Sequence, residues 1–180
     1  MNLLKLAKRT RIILGGAFAL VLIGIACPTP ASLLAGLPVV ILGESIRTWS
    51  SGHIRKNKAL ATDGPYAHTR NPLYLGSFLI GLGFVVMSRS LWGLAIYLAA
   101  YALIYRAVIR YEENDLAKAF GGGFAEYVRT VPRFIPRISR APYRAGGFDW
   151  ALVFKHREYQ AWLGIAGGLA ALLVKLGMNG

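Results

Sequence analysis

The sequence has little of what disulfide-linked and metal-binding proteins depend on. It contains one cysteine, Cys27, so no disulfide can form within the chain. Its three histidines are scattered along the sequence, and with a single cysteine they predict no metal site. Only 8 residues are acidic against 21 lysines and arginines, which gives a formal net charge of +13. Long charge-free runs separate the basic segments, and this pattern argues against a nucleic-acid-binding protein.

What the chain has instead is apolar sequence, since 55% of its 180 residues are hydrophobic. Apolar blocks alternate with basic blocks, which is typical of a polytopic membrane protein. We therefore predict an all-α integral membrane protein that forms one domain over residues 1–180. About five transmembrane helices are expected. They are predicted at Ile12–Cys27, Ala31–Ile46, Leu73–Ser88, Leu91–Ile109 and Trp162–Leu176.

The first apolar run resembles a signal peptide because a basic section precedes it. However, no small-x-small cleavage site follows, and another apolar run begins at once, so we interpret it as a retained membrane helix. Pro28-Thr29-Pro30 predicts a tight turn after this helix, because proline ends helices. Ser88-Arg89-Ser90 predicts a second tight turn. Gly76, Gly81 and Gly83 are expected to allow close packing between membrane helices.

The basic residues predict the orientation of the chain. With a cytoplasmic N-terminus, the cytoplasmic face holds the basic residues of 1–11, 47–72 and 106–157, which are nineteen of the 21. Only Arg89 and Lys175 are left for the other face. The positive-inside rule therefore predicts a cytoplasmic N-terminus, in the inner membrane if the source is bacterial. Topology and contact with anionic lipids then explain the charge without a nucleic-acid partner.

The segments 47–72 and 106–157 share a membrane face in this topology, so they can meet there and form a site open to water and to lipid. Within the second segment, Arg106, Arg110 and Glu113 lie at positions i, i+4 and i+7, on one face of a helix that leaves the membrane.

A run of three glycines, Gly121-Gly122-Gly123, follows on the same helix. It lacks the preceding strand and the following Lys-Ser/Thr of a phosphate-binding loop. We therefore interpret it as a helix break.

Two motifs in these segments carry a family resemblance. The first consists of Gly64, Pro65, Tyr66, Arg70, Asn71, Pro72, Tyr74 and Gly76. The second consists of Glu112, Glu113, Leu116, Phe120, Gly121, Phe124, Tyr127, Val131, Pro132 and Pro136. Together they resemble the isoprenylcysteine carboxyl methyltransferase and phospholipid methyltransferase superfamily, over about residues 40–137. The segment 138–180, with its predicted last membrane helix, lies outside the resemblance.

The resemblance implies S-adenosylmethionine (SAM) as methyl donor and S-adenosylhomocysteine as product, in a pocket at the cytoplasmic face. It implies that the cofactor is bound by Leu60, Ala61, Tyr66, Asn71, Pro72, Leu73, Tyr74 and Glu112. A carboxylate at Glu112 suits this role because it can offset one of the two cationic groups of SAM and accept its hydrogen bonds.

Arg70 and Arg110 are predicted to orient the methyl acceptor, although the spacing of the motif leaves Arg106 as an alternative to Arg110. An arginine fork would hold a carboxylate acceptor, whereas Glu113 could remove the proton of an amine or thiol. These three positions, Arg70, Arg110 and Glu113, are the predicted catalytic residues.

The acceptor itself is left open between a prenylated cysteine carboxylate, a phospholipid amine, another lipid and a hydrophobic thiol. Isoprenylcysteine enzymes usually have Arg-His-Pro where this chain has Arg70-Asn71-Pro72, which is similar to the phospholipid enzymes and to many bacterial relatives. Two other functions remain as alternatives. One is an NADPH-dependent membrane reductase of the sterol reductase type, which the Glu112-Glu113 pair disfavours. The other is a non-catalytic membrane scaffold.

Overall fold

The computed structural model describes residues 15–55, 59–137 and 147–179, and every regular element in these ranges is helical. The predicted all-α fold is therefore confirmed. The elements are α1, described over Gly15–Ile25, then α2 (Pro30–Ser51), a 3₁₀ helix (Gly64–Ala67), α3 (Pro72–Ser88), α4 (Leu91–Thr130), α5 (Trp150–Lys155) and α6 (Tyr159–Asn179).

The helices lie where the apolar runs predicted membrane spans. α2, α4 and α6 are long and apolar enough to cross a membrane, whereas α3 and the described part of α1 are shorter apolar helices. Residues 12–14 of the first predicted span lie outside the described residues. α4 has 40 residues and continues far beyond Ile109. The 30 residues from Leu91 to Phe120 alone are about 45 Å long, more than the hydrocarbon thickness of about 30 Å, so the outer part of α4 extends out of the bilayer. The short helix α5 was not predicted.

Both predicted turns between membrane helices are present. Thr29 caps α2, and its side chain and that of Ser32 form a reciprocal capping box, with Pro30 in the first turn. α3 ends at Arg89, which has a left-handed backbone with φ of 55°. Ser90 then caps α4. The local polar residues thus account for both helix reversals.

Glycines set the distance between α2 and α3. A Cβ atom added at Gly43 would lie 2.7 Å from the carbonyl oxygen of Gly76, and one at Gly83 would lie 2.8 Å from that of Gly36. Side chains at these positions would therefore force the two helices apart, and the predicted packing role of Gly76 and Gly83 is confirmed. Gly81 faces the ring of Tyr97 on α4.

α6 packs against both α2 and α3. Leu172 is fully buried with residues of α2 and α3. Lys175 donates hydrogen bonds to the carbonyl oxygens of Ile23 and Gly24 at the end of α1. At the other end of α6, Trp162 Nε1 donates to Glu44 Oε1 at 2.7 Å. The last helix is therefore attached to the bundle at both ends.

The predicted helix break lies at Gly121, whose φ of 51° and ψ of −121° interrupt α4. After the break the helix continues to Thr130, and Phe124, Tyr127 and Val131 are buried in a cluster with Leu60 and other residues. The kink therefore lets the outer part of α4 pack against the loop that precedes the 3₁₀ helix.

The two polar segments meet, as their shared membrane face predicted. The backbone N–H of Arg70 donates to Pro132 O at 2.9 Å, and that of Arg137 donates to His68 O at 2.9 Å. Between them, the buried hydroxyl of Thr69 donates to Phe134 O at 3.0 Å. These bonds fasten the loop before α3 to the segment that follows α4.

We predict that the loop containing Asp63 lies on the cytoplasmic face of the membrane and that the end of α6 lies on the opposite face. The reason is that nineteen of the 21 basic residues lie in segments 1–11, 47–72 and 106–157. In a Cys27→Ser background, cysteines placed singly at Asp63 and Asn179 are expected to react with a membrane-impermeant maleimide from opposite faces of oriented vesicles. Labelling of both positions from the same face would contradict this topology.

We also predict that Thr69→Val destabilises the fold by about 1–3 kcal/mol, because it replaces the buried hydroxyl by an apolar group and leaves Phe134 O without this hydrogen bond. Thermal unfolding in detergent measures the loss. Ser45→Ala is the control, since the exposed hydroxyl of Ser45 donates to Ile41 O, one turn earlier on the same helix, at 2.8 Å. Equal effects of the two substitutions would contradict a specific role for the Thr69 bond.

Candidate active site

A cavity of about 520 Å³ opens where the loop before α3 meets the outer part of α4. Its volume lies in the range of small-molecule sites. Every residue predicted to bind the cofactor lines this cavity, together with Arg70 and Glu113. The predicted cofactor residues are Leu60, Ala61, Tyr66, Asn71, Pro72, Leu73, Tyr74 and Glu112. The structure therefore brings the two sequence motifs together around one cavity.

The two adjacent glutamates have different environments. Glu113 is buried and shared by two arginines: its Oε1 lies 3.2 Å from Arg70 Nη2, and its Oε2 lies 2.7 Å from Arg133 Nη2. Arg133 Nε also donates to Oε1 at 3.3 Å. Glu112 lines the cavity and has no ion-pair partner among the described side chains. Glu112 is thus the carboxylate of the pair that is free to meet a cationic ligand.

Arg70 is a nearly buried cation on the cavity wall, with its side chain 8% exposed. Its Nη2 contacts Glu113, but its Nε and Nη1 are buried and have no hydrogen-bond partner among the described residues. Buried polar groups are rarely left unsatisfied in folded proteins. The two unused nitrogens of Arg70 are therefore suited to donate hydrogen bonds to a bound molecule.

Tyr66 also presents an unused polar atom. Its hydroxyl is buried, no described residue forms a hydrogen bond with it, and the residue lines the cavity. Burial raises the pKa of the Tyr66 hydroxyl well above its usual value, so the group stays protonated at neutral pH. The backbone of Tyr66 is held by the Tyr127 hydroxyl, which donates to the Tyr66 carbonyl oxygen at 2.7 Å.

The structure does not bring Arg110 to this cavity. Arg110 and Arg106 are exposed on α4 and do not line it, whereas Glu113 on the same helix is buried. The arginine that contacts Glu113 together with Arg70 is Arg133, which follows the helix. A catalytic role for Arg110 stays a prediction, and so does proton removal by Glu113, both of whose oxygens contact guanidinium groups.

The apolar wall of the cavity was not predicted from the sequence, although the residues that form it belong to the second motif. The wall is formed by Leu116, Phe120, Phe124 and Tyr127. Their spacing of four, four and three residues continues the face of α4 that starts at Glu112, which is the signal that could have identified them.

The residues of the cavity fit SAM. A free carboxylate at Glu112 matches its cationic groups, the unused donors of Arg70 and Tyr66 match its polar acceptors, and the aromatic wall matches its apolar surface. In the described part of the chain, no cluster of three or more His, Cys, Asp and Glu side chains is arranged to hold a metal ion.

Comparison with known proteins identifies a family. The sequence model of the family described as phospholipid methyltransferase matches residues 18–123. The match starts earlier than the resemblance over residues 40–137 and stops just after the three glycines. No solved structure was found to match the chain.

Individual relatives carry two kinds of names. "Cobalt-zinc-cadmium resistance protein CzcN" of Cupriavidus metallidurans is 44% identical over 113 residues, covering 62% of this chain and 52% of that protein. "Nickel-cobalt-cadmium resistance protein NccN" of Alcaligenes xylosoxydans is 39% identical, covering 61% and 52%. "Protein-S-isoprenylcysteine O-methyltransferase" of Schizosaccharomyces pombe is 29% identical, covering 56% and 42%.

The chain spans about half the length of the first two relatives. The family match, by contrast, covers more than half of this chain and includes the loop and the glutamate pair that line the cavity. Its apolar helices agree with a membrane location. The protein is therefore an integral membrane protein that belongs to the phospholipid methyltransferase family.

Proposed function

We propose that the protein transfers a methyl group from SAM to a hydrophobic or lipid-borne acceptor, in the cavity between the loop before α3 and the outer part of α4. The observation that carries the proposal is the arrangement of Glu112, Arg70 and Tyr66. Among the described residues, the carboxylate in this cavity has no ion-pair partner, and the two other side chains have buried, unused polar atoms. The family match favours this function over a membrane reductase or a scaffold.

Bound SAM supplies a methyl group on a sulfonium, which an acceptor atom can attack in line. The task of the chain is then to bind and align, because positioning alone can supply several kcal/mol of such a barrier. Glu112 accepts hydrogen bonds from the cationic part of the cofactor. The hydroxyl of Tyr66 and the turn that starts at Asn71 enclose the remainder of the cofactor.

Arg70 orients the acceptor in this proposal. Its position is fixed by Glu113, which Arg133 holds from the other side at 2.7 Å. Because two guanidinium groups surround Glu113, the role that fits its environment best is to position Arg70. A proton lost from an amine or thiol acceptor then passes to water or to another group at the cavity mouth.

The location of the cavity suits a water-soluble donor and a lipid-borne acceptor. Leu73 and Tyr74 line it and belong to the first turn of α3, an apolar helix of the bundle. Asp115 lines the cavity on the outer part of α4 and is exposed. We propose that the acceptor enters from the bilayer along α3 and α4, and that the cofactor enters from the cytoplasm.

We predict that Glu112→Gln weakens SAM binding by tenfold or more, because loss of a charge-assisted hydrogen bond costs about 1.5–3 kcal/mol. Titration calorimetry on the purified protein measures the affinity. Glu126→Gln, at an exposed position of α4 outside the cavity, is the control with the same change of charge. Unchanged affinity in a folded Glu112→Gln protein would remove Glu112 from the binding site.

We predict that Arg70→Lys lowers methyl transfer strongly while SAM binding is retained, because an ammonium does not replace a planar guanidinium fork. Incubation with labelled SAM and a membrane lipid extract measures the transfer and identifies the acceptor. Glu113 keeps Arg133 as partner in this variant, so its carboxylate is not left unpaired. Near-normal transfer by Arg70→Lys would reject a role for Arg70 in orienting the acceptor.

A further inference from the structure

A second cavity lies between α2 and α6, and it shares no lining residue with the first. Its volume is about 580 Å³. Along α2 it extends from Leu37 to Trp49, a distance of about 18 Å. Leu37, Val40 and Leu169 line its apolar part. The helix α6, which forms one side of the groove, lies beyond residues 18–123 that the family model matches. The family match therefore does not account for this groove.

Aromatic side chains surround the polar end of this groove. Three of the four tryptophans of the chain, Trp49, Trp150 and Trp162, line it together with Phe148. Trp49 is 43% exposed and Trp150 is 56% exposed, so much of both rings is open to an occupant of the groove. Aromatic faces of this kind attract organic cations, most strongly when the cation is removed from water.

A carboxylate stands among these rings. Glu44 lines the groove, and its side chain is 16% exposed. Its Oε1 accepts hydrogen bonds from Trp162 Nε1 at 2.7 Å and from Thr48 Oγ1 at 3.0 Å. Its Oε2 is buried and has no hydrogen-bond partner within residues 15–55, 59–137 and 147–179. Within the described residues, the cation that pairs with Glu44 Oε2 is Arg47, whose Nε lies 3.8 Å away, too far for a hydrogen bond.

Arg47 is already engaged by another carboxylate. Its Nη2 lies 2.6 Å from Oε1 of Glu158, a side chain only 5% exposed. Glu44 and Glu158 therefore share one guanidinium, and within the described residues no other basic side chain forms an ion pair with either of them. With both carboxylates ionised, the cluster carries one negative charge more than positive charge, in a chain whose net charge is +13.

The depth of Glu44 makes this excess charge costly. Glu44 lies seven residues before the end of α2, about 10 Å inside the helix end. Ionisable residues within membrane helices are rare, and they pair with other groups or form binding sites. A cation supplied from the bilayer would neutralise the cluster. A phosphate would be repelled, which disfavours a phospholipid headgroup as the occupant.

We propose that the groove between α2 and α6 binds a membrane-borne amphiphilic amine, that is, a cationic ammonium attached directly to an apolar chain. The ammonium lies at Glu44 Oε2 against the indole rings, and the apolar chain lies along α2 towards Leu37. This inference does not depend on the proposed methyl transfer, because the groove and the first cavity are separate.

The tryptophans of the groove allow a direct test. Tetradecyltrimethylammonium and tetradecanol share an alkyl chain and differ in the charge of the head, and each is titrated into the full-length protein in a neutral sugar detergent. Trp92, which is 80% exposed on α4, is replaced by phenylalanine so that the fluorescence reports only the groove. We expect the ammonium compound to bind about tenfold more tightly than the alcohol.

Glu44→Gln is expected to reduce this preference to less than about threefold, since it removes the negative charge and keeps the shape. Glu126→Gln, which neutralises an exposed carboxylate on α4, is expected to leave the preference for the ammonium compound unchanged. If Glu44→Gln does not fold, Trp150→Leu tests the aromatic wall instead and is expected to weaken ammonium binding more than alcohol binding. Equal binding of the two compounds by the unaltered groove, or a preference that survives Glu44→Gln, would overturn the proposal.

Discussion

The ion pairs of the buried carboxylate of Glu113 with Arg70 and Arg133 are the interaction on which the candidate active site depends. The two arginines come from segments 63 residues apart in the sequence, one before α3 and one after α4. An ionised carboxylate is stable in a buried position only when paired cations and hydrogen bonds compensate its lost hydration. The fold can therefore bury Glu113 only by bringing the two segments together. The contact between these segments also closes the cavity beside Glu113.

Hydrogen bonds to backbone carbonyl oxygens near this ion pair fix how the two segments contact each other. Arg70 N donates to Pro132 O, and the side chain of Asn71 donates to Arg133 O at 2.9 Å. Asn71 thus contributes to the architecture of the turn as well as lining the cavity. The kink at Gly121 completes the enclosure, because it directs the helix past Phe124 and Tyr127 to the point where the segment after α4 can pair with the loop.

The sequence predicted what depends on local chemistry. Long apolar runs identified the membrane helices, and proline, serine and glycine identified the turns and the break in α4, because each acts on its own neighbourhood. The motifs also identified the residues of the cavity loop. Arg133 was not predicted because its partner Glu113 lies 20 residues away around a kink whose direction a sequence does not show. The short helix α5 was missed because six residues carry too little periodicity.

The C-terminal helix is connected to the active site through polar contacts, although it lies outside the family match. Arg47 pairs with Glu158 at the start of this segment, and its Nη1 donates to Ser77 Oγ on α3 at 2.5 Å. Ser77 in turn donates to the carbonyl oxygen of Leu73, a residue that lines the first cavity. Since polar groups within a membrane bundle are held by one another rather than by water, the segment that ends in α6 supports the first turn of α3. Part of the active-site wall is therefore stabilised by a helix that the family motifs do not include.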